Sequence, residues 1–556
     1  MKGILKYGLA FLLLTGGSCK KNFVSDTILP PAGLPANNSS IRLFNLFSTD
    51  LDVTVNNIPL TSYSADQNAS GVSQGLAIFP SGVWPDGGAF TIPYTLVDKK
   101  GQVHISVTPR ASLSGFPVKG ADTILADDQL HPTDYYILSD GRFLAEPRSP
   151  AVPTNAYDFK IRVINLGALR DTNHITGPVT VTYADGSKVD PLLTGVLTGQ
   201  RSDYVELPYT TAALKVFANG NFSQQLTEIP SVPNFIGQGM IPVYDQEGRF
   251  SPHHPFKPGG VYAIVVMPGV FLYRDQFSAP EYVTLNACRI ISENSPPVNF
   301  TYARVEAVNV LPDLSRGPIT VKVDGQPLGA PMDYATHTDY KIFIQGDHQV
   351  QAYDKSGVLL VERTLPLFAN DNMTVWVYQK NDTPDISFAA TDMSTVQNTQ
   401  QWRIMDLCDG VPWLSLTDDL TPLIVHDNSV YPPTTDSSAI NVPLGQPVTH
   451  NPYLNFYVGP EATGSSGSPI LPRQTPNFTK LRAFSSNPGP PLELPGAYLE
   501  DVQSITSSVF IANPGMYTQP VPAGEPGAYT VALIGKTSVH PPDPAAARFF
   551  ILKHTK

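Results

Sequence analysis

Residues 304–328 read RVEAVNVLPDLSRGPITVKVDGQPL, and their pattern decides the fold. Val305, Ala307 and Asn309 alternate with Glu306 and Val308, which predicts a strand with Val305 and Ala307 on one face. Ile319, Val321 and Val323 alternate with Thr320 and Lys322, a second strand. Asp324-Gly325 then predicts a two-residue hairpin turn, because both central residues of such a turn need positive φ. Tyr340, Ile342 and Ile344 continue the alternation, and further strands are expected over 349–353, 358–363 and 373–378. Six or seven strands in about 80 residues predict a small antiparallel sandwich that closes within 299–382. Trp376 alternates inside the last of these strands and is expected in the core.

The same pattern recurs along the chain. RVINL at 162–166 is followed by GPVTVTYADG at 177–186, and RLFNL at 42–46 by DVTVN at 52–56. A looser copy, RIMDL at 403–407, is followed by LSLTDDL at 414–420. Repeats of this length are the size of small domains rather than of solenoid units. The expected organisation is a leader over 1–18, a flexible tether over 19–40, and four β-sandwich repeats over 41–150, 157–298, 299–395 and 400–556. The fourth repeat is divergent, with a Pro-rich loop expansion over 430–474. Composition agrees: 54 prolines in 556 residues and only 15% charged residues favour many short strands joined by turns. The fold class expected is all-β, a tandem of sandwiches.

The R-V-x-x-x-N opening strand, the V-x-V-x-x-D-G hairpin, and the D-Y element at Asp203-Tyr204 and Asp339-Tyr340 together resemble the family called domain of unknown function 4397. The resemblance covers most of the chain after residue 40 and is tightest in the second and third copies. It implies an immunoglobulin-like sandwich in a surface lipoprotein and supplies no catalytic residues.

The N-terminus gives an address. Residues 1–19 read MKGILKYGLAFLLLTGGSC. Lys2 and Lys6 form a basic region, residues 7–15 an apolar run too short to span a bilayer, and Gly16, Gly17 and Ser18 precede Cys19. This resembles a bacterial lipoprotein signal of the Bacteroidota type, which implies acylation of Cys19 and an outer-membrane, surface-exposed location. It departs from the usual pattern in having Gly16 three residues before the cysteine. The alternative is an ordinary cleaved signal peptide. Residues 20–40, with Pro30-Pro31 and Asn37-Asn38-Ser39-Ser40, lack periodicity and read as the tether.

Candidate functional residues are few. Trp84, in WPDGG, and Trp413, after Pro412, are candidates to stack on a sugar ring, since an indole is apolar in body with a donor at its edge. For Trp84, packing of the loop is the competing reading. His253-His254 lacks the spacing of a metal site, and Asp127-Asp128 and Asp418-Asp419 lack the alternating spacing of a calcium loop. Gly464-Ser465-Ser466-Gly467 falls one residue short of a nucleophile elbow. Gly535-Lys536-Thr537 lacks the first glycine of a phosphate-binding loop. No catalytic residue, metal ligand or cofactor is expected. Apart from Cys19, only Cys288 and Cys408 are present, and isolated thiols are expected.

The formal net charge is −12 and no basic patch stands out, which disfavours nucleic acid as a partner. The expected partners are the membrane, through the lipid on Cys19, and a surface glycan or protein. The leading expectation is a non-enzymatic surface lipoprotein acting as a spacer, binding or adhesion module. The alternatives are a glycan-binding accessory lipoprotein of a polysaccharide uptake system and, last, a hydrolase.

Overall fold

A computed structural model describes residues 38–46, 51–61, 84, 89–109, 119–138, 140–148, 152–167, 177–209, 214–218, 227–228, 241–244, 256–273, 281–294, 298–392, 399–418, 421–422, 439–446, 454–457, 462–463, 480–489, 493–516, 524–525 and 527–555. Strands and short 3-10 turns account for all their regular structure, with no α-helix among them. Nor does any described helix reach the length and apolarity needed to cross a membrane.

The strands form paired sheets, and each pair draws its strands almost entirely from one sequence repeat. In the third repeat one sheet holds Tyr302–Asn309, Asn372–Lys380 and Thr383–Ala390, and the facing sheet holds Thr320–Val323, Gly346–Tyr353 and Leu359–Leu367. The all-β expectation holds. The hairpin at Asp324-Gly325 forms as the sequence requires, with φ of 49° and 77°. Asn56 and Asn57, at 48° and 66°, make the same turn in the first repeat.

Each repeat contains a parallel pair that includes its opening strand. The opening strand (Asn38–Leu46, Asp158–Asn165, Tyr302–Asn309, Thr399–Asp409) lies parallel to a late strand (Thr133–Leu138, Val261–Tyr273, Asn372–Lys380, Gly527–Lys536). A further strand follows each late strand and pairs with it antiparallel. This corrects the expectation that the third repeat closes within 299–382. Thr383–Ala390 completes its sheet; Ile386 belongs to its core and the half-buried Phe388 packs against it.

Each repeat has its own core between its two sheets. In the third repeat Val305, Ala307, Val321, Val323, Val350, Val375 and Val377 meet there. The opening strands are buried on their second face as well. Phe44, Leu46 and Tyr136 of the first repeat pack against Ile164, Ala263, Val265 and Met267 of the second. Val308, Val310, Trp376 and Tyr378 of the third pack against Met405, Leu407, Ala532 and Ile534 of the fourth. Two-sided burial is why these strands read as near-continuous apolar runs. The repeats therefore stack in pairs through the sheets that hold their opening strands.

Smaller contacts join the two pairs. Lys215 of the second repeat forms a buried ion pair with Glu525 of the fourth. The Arg304 guanidinium of the third lies 3.8 Å from the ring centroid of Tyr209 in the second. The tether expected over 19–40 ends earlier than its composition suggests, because Asn38, Ser39 and Ser40 begin the first strand and both serines are buried. Asp127 explains this: its carboxylate accepts from the Ser40 amide and hydroxyl, each at 2.6 Å.

Candidate binding site

Of the two candidate tryptophans, the structure removes one. Trp84 is fully buried and belongs to the first repeat's core with Leu43, Leu51 and Val103. Its backbone pairs in both directions with Leu51, at 2.9 and 3.0 Å. The WPDGG sequence suggests an exposed turn, but pairing with Leu51 turns the indole inward, so Trp84 is a core residue and not a ligand platform. Trp413 stays half-buried at the first position of Trp413–Asp418, opposite Pro443, with its carbonyl accepting from the Ser486 hydroxyl at 3.4 Å. Trp376 is fully buried, but on the face turned toward the fourth repeat rather than in its own repeat's core.

The remaining sequence candidates divide between structural roles and undescribed positions. Asp128 accepts from the amides of Leu130 and His131 and pairs with the His131 ring. Lys536 of the Gly535-Lys536-Thr537 triplet pairs with Asp382 at 3.1 Å. Cys288 and Cys408 are buried thiols in the cores of the second and fourth repeats. Cys19, His253-His254, residues 464–467 and most of the 430–474 expansion lie outside the described residues. Among the described residues, no group of three His, Cys, Asp or Glu side chains is placed to hold a metal.

The polar residues shared by the repeats have a common task. The arginine that begins each opening motif lies on the face turned toward the neighbouring repeat. Arg42 grips Asp134, its register partner on the parallel strand, through Nε at 3.0 Å and Nη2 at 2.6 Å. Arg304 grips Asn372, again its register partner. Arg162 stands opposite Ala263, which offers no acceptor, and reaches Glu293 one strand further on and Glu146 of the first repeat. Arg148 adds to Asp134, Arg201 to Glu146 and the Tyr204 hydroxyl to Glu293. Burial, then the Glu293 charge, pushes the Tyr136 and Tyr204 phenols upward, so both remain neutral donors. The network joins the first two repeats with its charges compensated, as burial demands.

The shared asparagine lies at the other end of the motif, on the core side. Asn45 Nδ2 donates to the Trp84 carbonyl at 3.2 Å, Asn165 to Val196 at 2.9 Å, and Asn309 to Met332 at 2.9 Å. Those three acceptors are equivalent, because each pairs with the residue opening the facing sheet: Leu51, Val179 and Ile319. The side chain thus ties one sheet of the sandwich to the other. Both positions are visible in the sequence, where they read as edge and turn residues; their role depends on a partner strand far away in the chain.

Among the described residues, an open depression lies on the outer sheet of the third repeat. Pro318, Thr320, Lys322, Pro331, Tyr353 and Lys355 line about 370 Å³. The Lys322 ammonium lies 4.7 Å from the Tyr353 ring centroid. Asp354 also lines it, and two ammonium groups, a carboxylate and an aromatic face can engage a hydroxyl-rich ligand. No protein-family model matches the chain, and no curated protein matches it significantly.

Proposed function

We propose that this protein is a non-enzymatic, lipid-anchored cell-surface protein of tandem immunoglobulin-like sandwiches, held to the outer membrane through Cys19 and presenting a binding face. The observation that carries the reading is what the repeats share. Arg42, Arg162, Arg304, Asn45, Asn165 and Asn309 all serve the scaffold, bonded to Asp134, Glu293, Asn372 and backbone carbonyls. Fold does not dictate function, so recognition belongs to features a single repeat owns, such as the Trp413 margin and the Lys322–Tyr353 depression. Stacked pairs of repeats suit a rigid platform better than an extensible spacer.

A glycan is the second reading of the ligand, favoured by Trp413 at a strand edge and Tyr353 in an open depression. In that case the protein is an accessory to polysaccharide uptake. Two measurements test the proposal. Mass spectrometry should find an acylated Cys19, and Cys19→Ala should leave the membrane fraction. A glycan array should show binding without turnover, weakened by Trp413→Ala or Tyr353→Ala. Turnover of any arrayed substrate would overturn the non-enzymatic reading, and an unacylated Cys19 in membrane-bound protein would overturn the anchor.

A further inference from the structure

The fourth repeat breaks the asparagine rule. Its opening motif is RIMDL, and Asp406 stands where the others carry Asn45, Asn165 and Asn309. The local geometry is otherwise kept. The Cys408 amide donates to Asp406 Oδ1 at 3.1 Å, as the Gly167 and Leu311 amides donate to their asparagines at the same distance. The atom that replaces the asparagine amide nitrogen is Oδ2. It is buried and has no hydrogen-bond partner. In the other repeats that atom donates to the carbonyl paired with the first residue of the facing sheet. In the fourth repeat the core residue equivalent to Leu51, Val179 and Ile319 is Leu414, which pairs with Val442, so the equivalent acceptor is the Val442 carbonyl. A carboxylate oxygen cannot donate there, whereas a carboxylic acid can.

From this geometry we infer that Asp406 is carried as a neutral carboxylic acid that imitates asparagine, and that its proton is a pH-sensitive latch on segment 439–446. That segment is fastened around Asp406. The Gly445 amide donates to the Asp406 carbonyl at 2.7 Å, the Leu444 amide to Pro412 at 3.2 Å, and the Asn441 amide to the Ser415 hydroxyl at 3.0 Å. Gly445 has φ of 73°, and a Cβ there would lie 2.0 Å from the Tyr378 hydroxyl, so the third repeat presses on the same segment.

The surrounding groups do not favour a charge. Cys408 and Asp409 flank Asp406 on its own strand, and Asp409 is occupied with Gln379 and the amides of Asn381 and Asp382. From the third repeat comes the Tyr378 phenol, which donates to Asp385, itself paired with Arg363. Lys536, on the adjacent parallel strand, is paired with Asp382. Burial drives the Asp406 carboxyl well above its ordinary range, against the single opposing bond from the Cys408 amide. Burial likewise pushes the Cys408 thiol up.

The sign follows from proton linkage. A carboxyl with a raised pKa in the fold binds its proton more tightly folded than unfolded, so it favours folding most in acid. That contribution is lost as pH rises from the unfolded value of about 4 to the folded one. The unfolding constant of the native chain, divided by that of Asp406→Asn, should therefore rise about tenfold per pH unit over that window. Asp406→Asn should be the more stable protein at pH 7, with slower amide exchange across 439–446. Infrared spectra at pH 7 should contain a protonated-carboxyl carbonyl band that Asp406→Asn removes.

A pH-independent ratio, or the absence of that band from the native protein, would overturn the inference. Failure of Asp406→Asn to fold would also overturn it, because asparagine already occupies this position in three repeats. The infrared measurement on the native chain alone decides the protonation state.

Discussion

Trp376 offers the sharpest test of how the third and fourth repeats are joined. Its side chain is fully buried in the layer between them, edge-on to Phe550 with ring centroids 6.2 Å apart. Its indole nitrogen has no acceptor. Trp376→Ala should cost about 3–5 kcal/mol, the usual loss for emptying a large aromatic site. Trp376→Phe removes less. The lost ring atoms forfeit roughly 2 kcal/mol at about 0.8 kcal/mol per buried methylene-sized group. Removing a buried donor that lacks a partner returns about 1–3 kcal/mol. The two effects nearly cancel, so Trp376→Phe should lie within about 1 kcal/mol of the native protein. Equilibrium denaturation, followed by circular dichroism through the transition that unfolds these repeats, measures both variants. If Trp376→Phe costs as much as Trp376→Ala, the indole N–H is satisfied and the account of this layer is wrong.

Two further predictions concern the charged contacts. Glu293→Gln removes the main partner of buried Arg162 and should destabilise the first two repeats by about 3–5 kcal/mol; a loss below about 1 kcal/mol in thermal or chemical unfolding would show that Glu146 alone suffices. Burial works to raise the Glu525 carboxyl, but Lys553 and Lys215 outweigh it and hold it below its usual value. Its contribution is therefore present above the ordinary glutamate range and is lost as pH falls below it. Acid should loosen the contact between the second and fourth repeats, read as faster amide exchange around Lys215, and Glu525→Gln should remove that acid dependence.

Much of the fold is legible from residues 304–328. The alternation of Val305 and Ala307 places them in the core, and Asp324-Gly325 makes its turn, because both signals are local. The parallel pairing of opening and late strands is not legible, because it joins residues such as Arg42 and Asp134 across most of a repeat. The stacking of repeats left a trace that alternation alone conceals. Phe44 and Leu46, Ile164 and Leu166, Val308 and Val310, and Met405 and Leu407 are apolar on the face that a one-sided strand would give to water. Trp84 shows the opposite failure: Pro, Gly and Asp neighbours describe a turn, but a distant pairing with Leu51 decides where the indole goes. For the candidate site, the shared arginines and asparagines are conspicuous in the sequence. Their scaffold role emerges only when their acceptors are known, and Asp406 is informative only beside the three asparagines.

The most direct test of pairwise stacking compares the third repeat alone, residues 299–392, with the third and fourth together, residues 299–556. Trp376 is the sole tryptophan of the shorter fragment, so its fluorescence reports the uncovered layer. In isolation the third repeat exposes the face carrying Val308, Val310, Trp376 and Tyr378, each large side chain forfeiting about 1.5–3 kcal/mol of burial. The shorter fragment should unfold at markedly lower denaturant, with Trp376 emission shifted to the red before unfolding. Equal midpoints and a blue, buried Trp376 in the isolated repeat would contradict the account.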